Sequence, residues 1–339
     1  MKKIIGFFII LVLSANLFVY ANDIEVQPTF FTRTNAQDRV WVGTFQIVWN
    51  EFIDKIVHNP VRFREGTPEI VSALNKQTFT VNDISESAYY KYAGKVNKRT
   101  KKQITKAIKK KFKESSDLLD KLDLNPRNDM FLIYAMLKKD FEFINAFDKL
   151  GHSLYKTNDS AEYFGINMDS NKKLGQGVEV LFYNNMNDFA VKLATCTNEE
   201  VYLYKTGVNK PFNFIYLDML KKQQTYKGDK NFAKRDELKV PNIKFTEEKV
   251  FEELTNRRIM GTNLVINQAL ETIKFDMNNK GVKLKSEAAM TVMTTALVPE
   301  SEPRLFYFDD TFVIFLKEKN KSKPYFALRV NDINKFQKK

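Results

Sequence analysis

The chain has 339 residues, 43% of them hydrophobic, and a formal net charge of +13 at pH 7. This length and apolar fraction suit one large globular domain or two small ones, and argue against a disordered chain. Cys196 is the only cysteine, so no internal disulfide can form. A nucleophile pair with a distant histidine is an alternative, but we expect Cys196 to be a packed strand residue. With His58 and His152 as the only histidines, the sequence also argues against a structural zinc site, and we expect neither metal nor cofactor.

The first 21 residues have the layout of a secretory signal peptide. Lys2 and Lys3 precede an apolar run over residues 4–13, and Val19-Tyr20-Ala21 supplies a small-residue cleavage site. This pattern predicts a secreted or periplasmic protein whose mature part, residues 22–339, forms one domain. The alternative is a retained membrane anchor, although Ser14 and Asn16 interrupt the run before it reaches spanning length.

Two early segments have helical periodicity. Trp41–Val57 places apolar residues on one face, and Tyr89–Leu122 is also predicted to be helical, with a strongly basic middle. The basic residues form either a solvated helix face or a site for an anionic polymer such as a polysaccharide. The candidate polyanion site comprises Lys98, Arg99, Lys101, Lys102, Lys106, Lys109, Lys110 and Lys113.

The C-terminal part, from Leu264 to Val330, predicts a strand, a long uncharged loop and two further strands. Ile273, Phe275 and Met277 alternate with polar residues, which is typical of a half-buried strand. Residues 278–281 predict a turn, and residues 288–298 contain no charge, glycine or proline. A long uncharged loop of this kind is a template for strand pairing, and one use for it is insertion into a sheet.

Three motifs in this part carry a family resemblance: Phe275-Asp276-Met277-Asn278, Ser286-Glu287-Ala288-Ala289 and residues 306–312. They resemble serpins, the family of protease inhibitors that insert such a loop. Phe275-Asp276-Met277-Asn278 is similar to the strand before the serpin hinge. Ser286-Glu287-Ala288-Ala289 is similar to the hinge, usually Thr-Glu-Ala-Ala. Residues 306–312 resemble the signature after the loop: Phe306, Asp309 and Phe312 match, and Thr311 stands where proline is usual.

Weaker matches occur upstream in the family's order, at residues 131–148, 180–193 and 240–245. The chain departs from the pattern at the hinge, where Val282–Lys285 are additional residues after Gly281. The resemblance implies an α+β, serpin-like fold, with N-terminal helices packed on a large central sheet and an exposed reactive-centre-like loop. The implied hinge residues are Gly281, Ser286, Glu287, Ala288, Ala289 and Met290.

The resemblance implies a secreted inhibitor rather than an enzyme: a serine or cysteine protease cuts the loop, which then enters the central sheet. Counting back from Phe306 places the cut at Glu300-Ser301, and counting forward from Glu287 places it at Pro299-Glu300; serine after the cut favours the first. The alternative is a non-inhibitory binding or surface protein on the same scaffold. We expect a monomer with no nucleic-acid partner, and no phosphate-binding loop or nucleophile elbow is present.

An inserted strand would alternate its side chains between core and surface. The set with Ser286, Ala288 and Met290 has no charge and can face the core, whereas Glu287 falls in the other set and would point outward. This pattern predicts which loop positions tolerate charge.

Overall fold

The computed structural model describes residues 24–125, 130–282 and 303–337. Four α-helices occur in this part of the chain: α1 (Thr44–Phe52), α2 (Glu69–Leu74), α3 (Thr100–Phe112) and α4 (Phe212–Thr225). A π-helix, Ile53–Val57, continues α1, and His58 ends it with a left-handed backbone, φ 59°. The 3-10 helices are Val81–Asp83, Glu86–Ala88, Lys172–Gly177, Glu252–Leu254 and Ile333–Phe336.

Strands dominate the described residues. They are β1 (Glu25–Gln27), β2 (Arg39–Val42), β3 (Tyr89–Lys95), β4 (Phe131–Leu137), β5 (Phe141–Glu142), β6 (Asp148–Tyr155), β7 (Asp159–Ile166), β8 (Val178–Asn185), β9 (Asp188–Ala194), β10 (Glu199–Lys205), β11 (Glu237–Pro241), β12 (Ile243–Val250), β13 (Leu270–Asn278), β14 (Gly281–Val282), β15 (Leu305–Tyr307), β16 (Phe312–Glu318) and β17 (Phe326–Val330). The expected α+β class is confirmed, with fewer helices than strands.

The largest sheet has seven strands in the order β1-β2-β17-β16-β10-β9-β8. Its central strands β16 and β17 are buried along their whole length. Near-continuous apolar runs such as Phe312–Leu316 form such strands because both faces meet other layers. A four-stranded sheet, β15-β11-β7-β6, packs beside it through aromatic residues.

The remaining strands form two separate sheets, β12-β13-β14-β5 and β3-β4. The alternation of β13 is as predicted, with Ile273, Phe275 and Met277 buried. On β4, Leu132 and Tyr134 pack on α3, while Ala135 joins the main core that includes α1. Strand β4 therefore lies between a layer that contains α1 and a layer that contains α3.

Three local expectations were wrong. Trp41 and Val42 belong to β2 rather than to the helix, which begins at Thr44. Tyr89–Lys95 is a strand paired with β4, and only the middle of the predicted Tyr89–Leu122 helix is helical. Cys196, expected to be a packed strand residue, is exposed in a bend, where its thiol donates to the carbonyl of Phe143. No helix within the described ranges has the length and apolarity to cross a membrane.

Candidate functional site

A cleft of about 1380 Å³ separates β4 from β13. We call it the strand cleft. Within the part of the chain that the structure describes, β4 pairs only with β3, and β13 pairs with β12 along its length but on its other side only with β14. Each strand therefore turns an edge of backbone groups toward the cleft. Because β4 has seven residues, the cleft is roughly 23 Å long, the length of an ordinary strand.

One end of the strand cleft is already occupied by β14. Val282 pairs antiparallel with Met277 of β13 on one side and with Phe141 of β5 on the other. Glycine is needed at position 281, because a Cβ there would lie 2.4 Å from the carbonyl oxygen of Phe141. The backbone of Gly281, at φ 154°, thus turns the chain from β13 back between two strands.

Two layers close the other sides of the strand cleft. Phe45, Trp49 and Phe52 of α1 line the inner side. Residues 113–125, which we call the strap, leave α3 and line the outer side through Leu118, Leu122 and Leu124. We call the β4 side and the β13 side of the cleft its two banks. Three contacts tie the strap to the β13 bank: Lys274–Asp117 at 2.8 Å, Lys121–Glu248, and the Asp123 amide donating to Gln268.

A buried charge cluster lies where β14 enters. Lys139, between β4 and β5, is paired with Glu199, at 2.6 Å, and with Glu318. The Tyr325 hydroxyl donates to Glu199, and the Ser85 amide donates to Glu318. Burial raises the pKa of Glu199 despite these partners, whereas for Glu318 burial is outweighed by hydrogen bonds from Lys139 and Ser85, which hold its pKa below the ordinary value. The cluster anchors this end of the cleft to β10 and β16.

Glu271, on the inward face of β13, is the one fully buried carboxyl that lines the strand cleft among the described residues. Neither of its oxygens has a hydrogen-bond partner there. Burial raises its pKa to about 8; the Phe45 N–H, in the first turn of α1, opposes that rise, although its geometry falls short of a hydrogen bond. Sequence reasoning missed this residue, although extending the Ile273–Met277 alternation by one step puts position 271 on the buried face.

None of the three matched signature residues lines the strand cleft: Phe306 and Phe312 lie in the core, and Asp309 is partly buried. Phe306 of β15 packs edge-on against Tyr183 and Phe189, with ring centroids 5.0 and 5.3 Å away. Asp309 accepts a hydrogen bond from buried Lys205 at 2.6 Å, and Phe312 begins β16. These residues join two sheets, so their role in the structure is to hold the chain that follows the loop.

The candidate polyanion residues are all exposed. Ile104, Ile108 and Phe112 recur every four residues and bury one face of α3, which turns the lysines outward. Lys98 and Arg99 precede the helix, and Lys113 follows it at φ 60°. Lys101 is paired with Asp120 of the strap at 2.7 Å, so the basic face and the strap are directly connected.

Several predicted residues lie outside the described ranges: the signal peptide over residues 1–21, the hinge residues Ser286, Glu287, Ala288, Ala289 and Met290, and the proposed cut at Glu300-Ser301. Gly281 is described and stands at the mouth of the strand cleft. Among the described residues, no group of three or more His, Cys, Asp or Glu side chains is arranged to hold a metal ion.

No protein-family model matches the chain, and no curated protein matches it. Solved structures do. Serpin48, described as a highly specific serpin in the insect Tenebrio molitor, aligns with a TM-score of 0.50 and 12% identity, over 87% of this chain and 92% of that one. Human thyroxine-binding globulin, in complex with thyroxine, aligns with a TM-score of 0.40 and 13% identity, over 69% of this chain and 64% of that one. The alignment with Serpin48 shows that the chain has a serpin-like fold, as the sequence motifs predicted.

Proposed function

We propose that this protein is a secreted, single-domain protease inhibitor that works by inserting its cleaved loop into the strand cleft. The observation that carries the proposal is the pairing of β14. It lies antiparallel to both β13 and β5, at the head of a cleft whose banks present strand edges. A strand that continued β14 would bond to both banks, and the hydrogen bonds and apolar burial gained would favour the inserted state.

The register of β14 agrees with the alternation of the loop sequence. Val282 is buried opposite Met277, so a continuing strand would turn its even-numbered residues toward the core. The additional residues Val282–Lys285 are four in number, which keeps Ser286 on the same face as Val282. Ala288 would then stand opposite Glu271, and Glu287 would point outward.

Melting temperature before and after a cut in the loop tests the proposal. The cleaved protein should melt at a higher temperature than the intact one. Ala288→Glu should abolish the rise, because it would bury a second carboxyl beside Glu271. Glu287→Lys, on the outward face, is the matched control and should keep the rise. If the cleaved wild-type protein melts no higher than the intact one, the inhibitory mechanism is excluded and the non-inhibitory scaffold takes its place.

The protease class follows from the proposed cut at Glu300-Ser301. A protease that accepts Glu300 needs a positive group in its specificity pocket, since an unpaired buried carboxylate is costly. We expect a stable covalent complex with a glutamate-specific protease, lost in Glu300→Ala, and none with trypsin-like enzymes. Peptide mapping after incubation with each protease checks the site, and cleavage without any complex would count against it.

The exposed basic face of α3 favours a second activity, binding of an anionic polysaccharide. Reversing Lys106, Lys109 and Lys110 to Glu should abolish retention on a heparin column, and wild-type retention should fall steeply with salt. Reversing Lys227, Lys230 and Lys234, which are exposed in a different loop, changes the net charge equally and serves as the control. Equal losses in both triple variants would indicate a general charge effect rather than a site.

A further inference from the structure

The proposed insertion of the loop as a strand gives no role to one residue of the strand cleft, Glu271. Glu271 is 4% exposed, lines the cleft, and has no hydrogen-bond partner for either carboxyl oxygen among the described residues. Buried carboxyls are normally paired, so such a group is costly unless something fills the space beside it. In the proposed inserted strand the facing residue is Ala288, which offers no donor.

The walls around Glu271 are aromatic and apolar. Phe45, Trp49 and Phe52 of α1 lie on the inner side, and Phe275 lies four residues along β13 on the same face. Aromatic faces attract cations, and pockets for small molecules are commonly apolar with one or two polar groups that fix orientation. At about 1380 Å³, the space exceeds the roughly 300–1,000 Å³ of such pockets.

The charges nearest to Glu271 do not neutralise it. Its cross-strand neighbour on β12 is Lys249, whose ammonium stacks on the ring of Phe251 instead. Lys138 and Lys139 line the cleft from the other bank, but are engaged by Glu114 and by Glu199 and Glu318. The remaining charged lining residues lie on the strap and the banks: Lys113, Glu114, Asp117, Asp123, Asp140, Lys244, Lys274 and Asp276.

We infer that the strand cleft is a binding site for an amphipathic organic cation, a primary ammonium carried on an apolar body. The ammonium donates hydrogen bonds to Glu271, and the body lies among the aromatic side chains of α1. This inference is independent of protease inhibition, because it uses only the described walls of the cleft.

Proton release gives the site a specific signature. The carboxyl of Glu271, with its pKa raised to about 8 by burial, is mostly protonated at neutral pH, whereas a paired carboxylate is ionised. Binding an ammonium therefore expels one proton, and affinity should rise about tenfold per pH unit between pH 6 and 8, then level off. Neither of the two histidines, His58 and His152, lines the cleft.

The test compares 4-phenylbutylamine with 4-phenylbutanol, which has a hydroxyl in place of the amine. Fluorescence of Trp49, which lines the cleft, and titration calorimetry in two buffers of different ionisation enthalpy report binding and proton release. At pH 8 the amine should bind the wild-type protein at least about tenfold more tightly than the alcohol, as a charge-assisted hydrogen bond predicts. Only amine binding should depend on pH.

Glu271→Gln should remove both the preference for the amine and its pH dependence, because glutamine keeps the shape and loses the charge. Glu252→Gln, at an exposed position in the 3-10 helix that follows β12 and outside the lining of the cleft, removes an equal charge and should leave both unchanged. Equal binding of the two probes by the wild-type protein, no binding of either, or an amine preference that survives in Glu271→Gln would each overturn the inference. If Glu271→Gln does not fold, the pH dependence of amine binding by the wild-type protein still decides.

Discussion

The seven-stranded sheet and the strand cleft differ in how completely their strands are paired in the described residues. In the sheet, β16 lies between β10 and β17, with every residue of the strand buried. At the cleft, β4 and β13 each have a bank edge with no strand along most of its length in the described residues. Strand β16 is therefore paired on both sides, whereas the gap between β4 and β13 has room for one more strand among the described residues.

Charge follows the same division. In the sheet, several partly buried ions are paired, Glu200 with Lys317 and Lys192, and Lys205 with Asp309. The buried guanidinium groups of Arg39 and Arg329 donate instead to backbone carbonyl and side-chain amide oxygens. In the cleft, Glu271 is buried without a partner in the described part of the chain. Unsatisfied groups and open edges cost stability, so the difference agrees with the proposal that the cleft receives an inserted strand or a ligand.

The comparison is tested most strongly by equal truncations in the two regions. Phe315→Ala in β16 removes a fully buried ring that packs against Phe30 and Tyr216, and should lower the free energy of unfolding by about 3–5 kcal/mol. Phe131→Ala at the start of β4, where the ring is half-buried, should cost about 1 kcal/mol. Denaturant unfolding measures both. Similar losses at the two positions would show that the cleft is packed as tightly as the sheet.

The second prediction concerns stability against pH. The folded-state pKa of Glu271 is raised to about 8, from an ordinary value of 4.5, so the folded state binds the extra proton between these values. Stability should therefore fall as pH rises through this window, by up to about 5 kcal/mol. Glu271→Gln should remove that loss and be more stable than wild type at pH 9, with little difference at pH 4.

Urea unfolding at pH 4, 6 and 9 provides the measurement. Glu199→Gln is a useful contrast, because that carboxyl is buried as well but accepts from Lys139 and Tyr325. Losing these charge-assisted bonds should destabilise the protein at neutral pH. If Glu271→Gln destabilises the protein at pH 9, the carboxylate has a partner there and the contrast with the paired ions of the sheet is wrong.

The sequence predicted the elements whose pattern is local. The alternation around Ile273 predicted β13, and the apolar run at Phe312 predicted β16. It failed at Tyr89–Lys95, where the tyrosines favour a strand but the lysines that follow extended the predicted helix. The strap and the strand cleft could not be predicted, because a gap between β4 and β13 depends on which distant segments pair.

Two parts of the candidate site were predicted from the sequence, and a third was missed. Gly281 was expected at the hinge, and the structure shows the close backbone approach to Phe141 that requires it. The basic face of α3 was also expected, since its apolar period of four residues directs the lysines outward. Glu271 was not, because a single carboxyl in a strand gives no sign in sequence of whether a partner will face it.

The smallest predicted effect concerns the strap. Lys274–Asp117 crosses the cleft, whereas Lys101–Asp120 joins the strap to α3 on its own side. All four side chains are more than half exposed, so Asp117→Asn and Asp120→Asn should each change global stability by less than about 1 kcal/mol. They should differ locally: only Asp117→Asn loosens the strap from β13, so amide hydrogen exchange should quicken at Asp123, whose N–H donates to Gln268 across the cleft. Hydrogen exchange read by NMR resolves this amide, and added salt should reproduce the effect in the wild-type protein by screening the pair. Equal protection in the two variants would mean that the leucines of the strap, rather than its charges, hold it over the cleft.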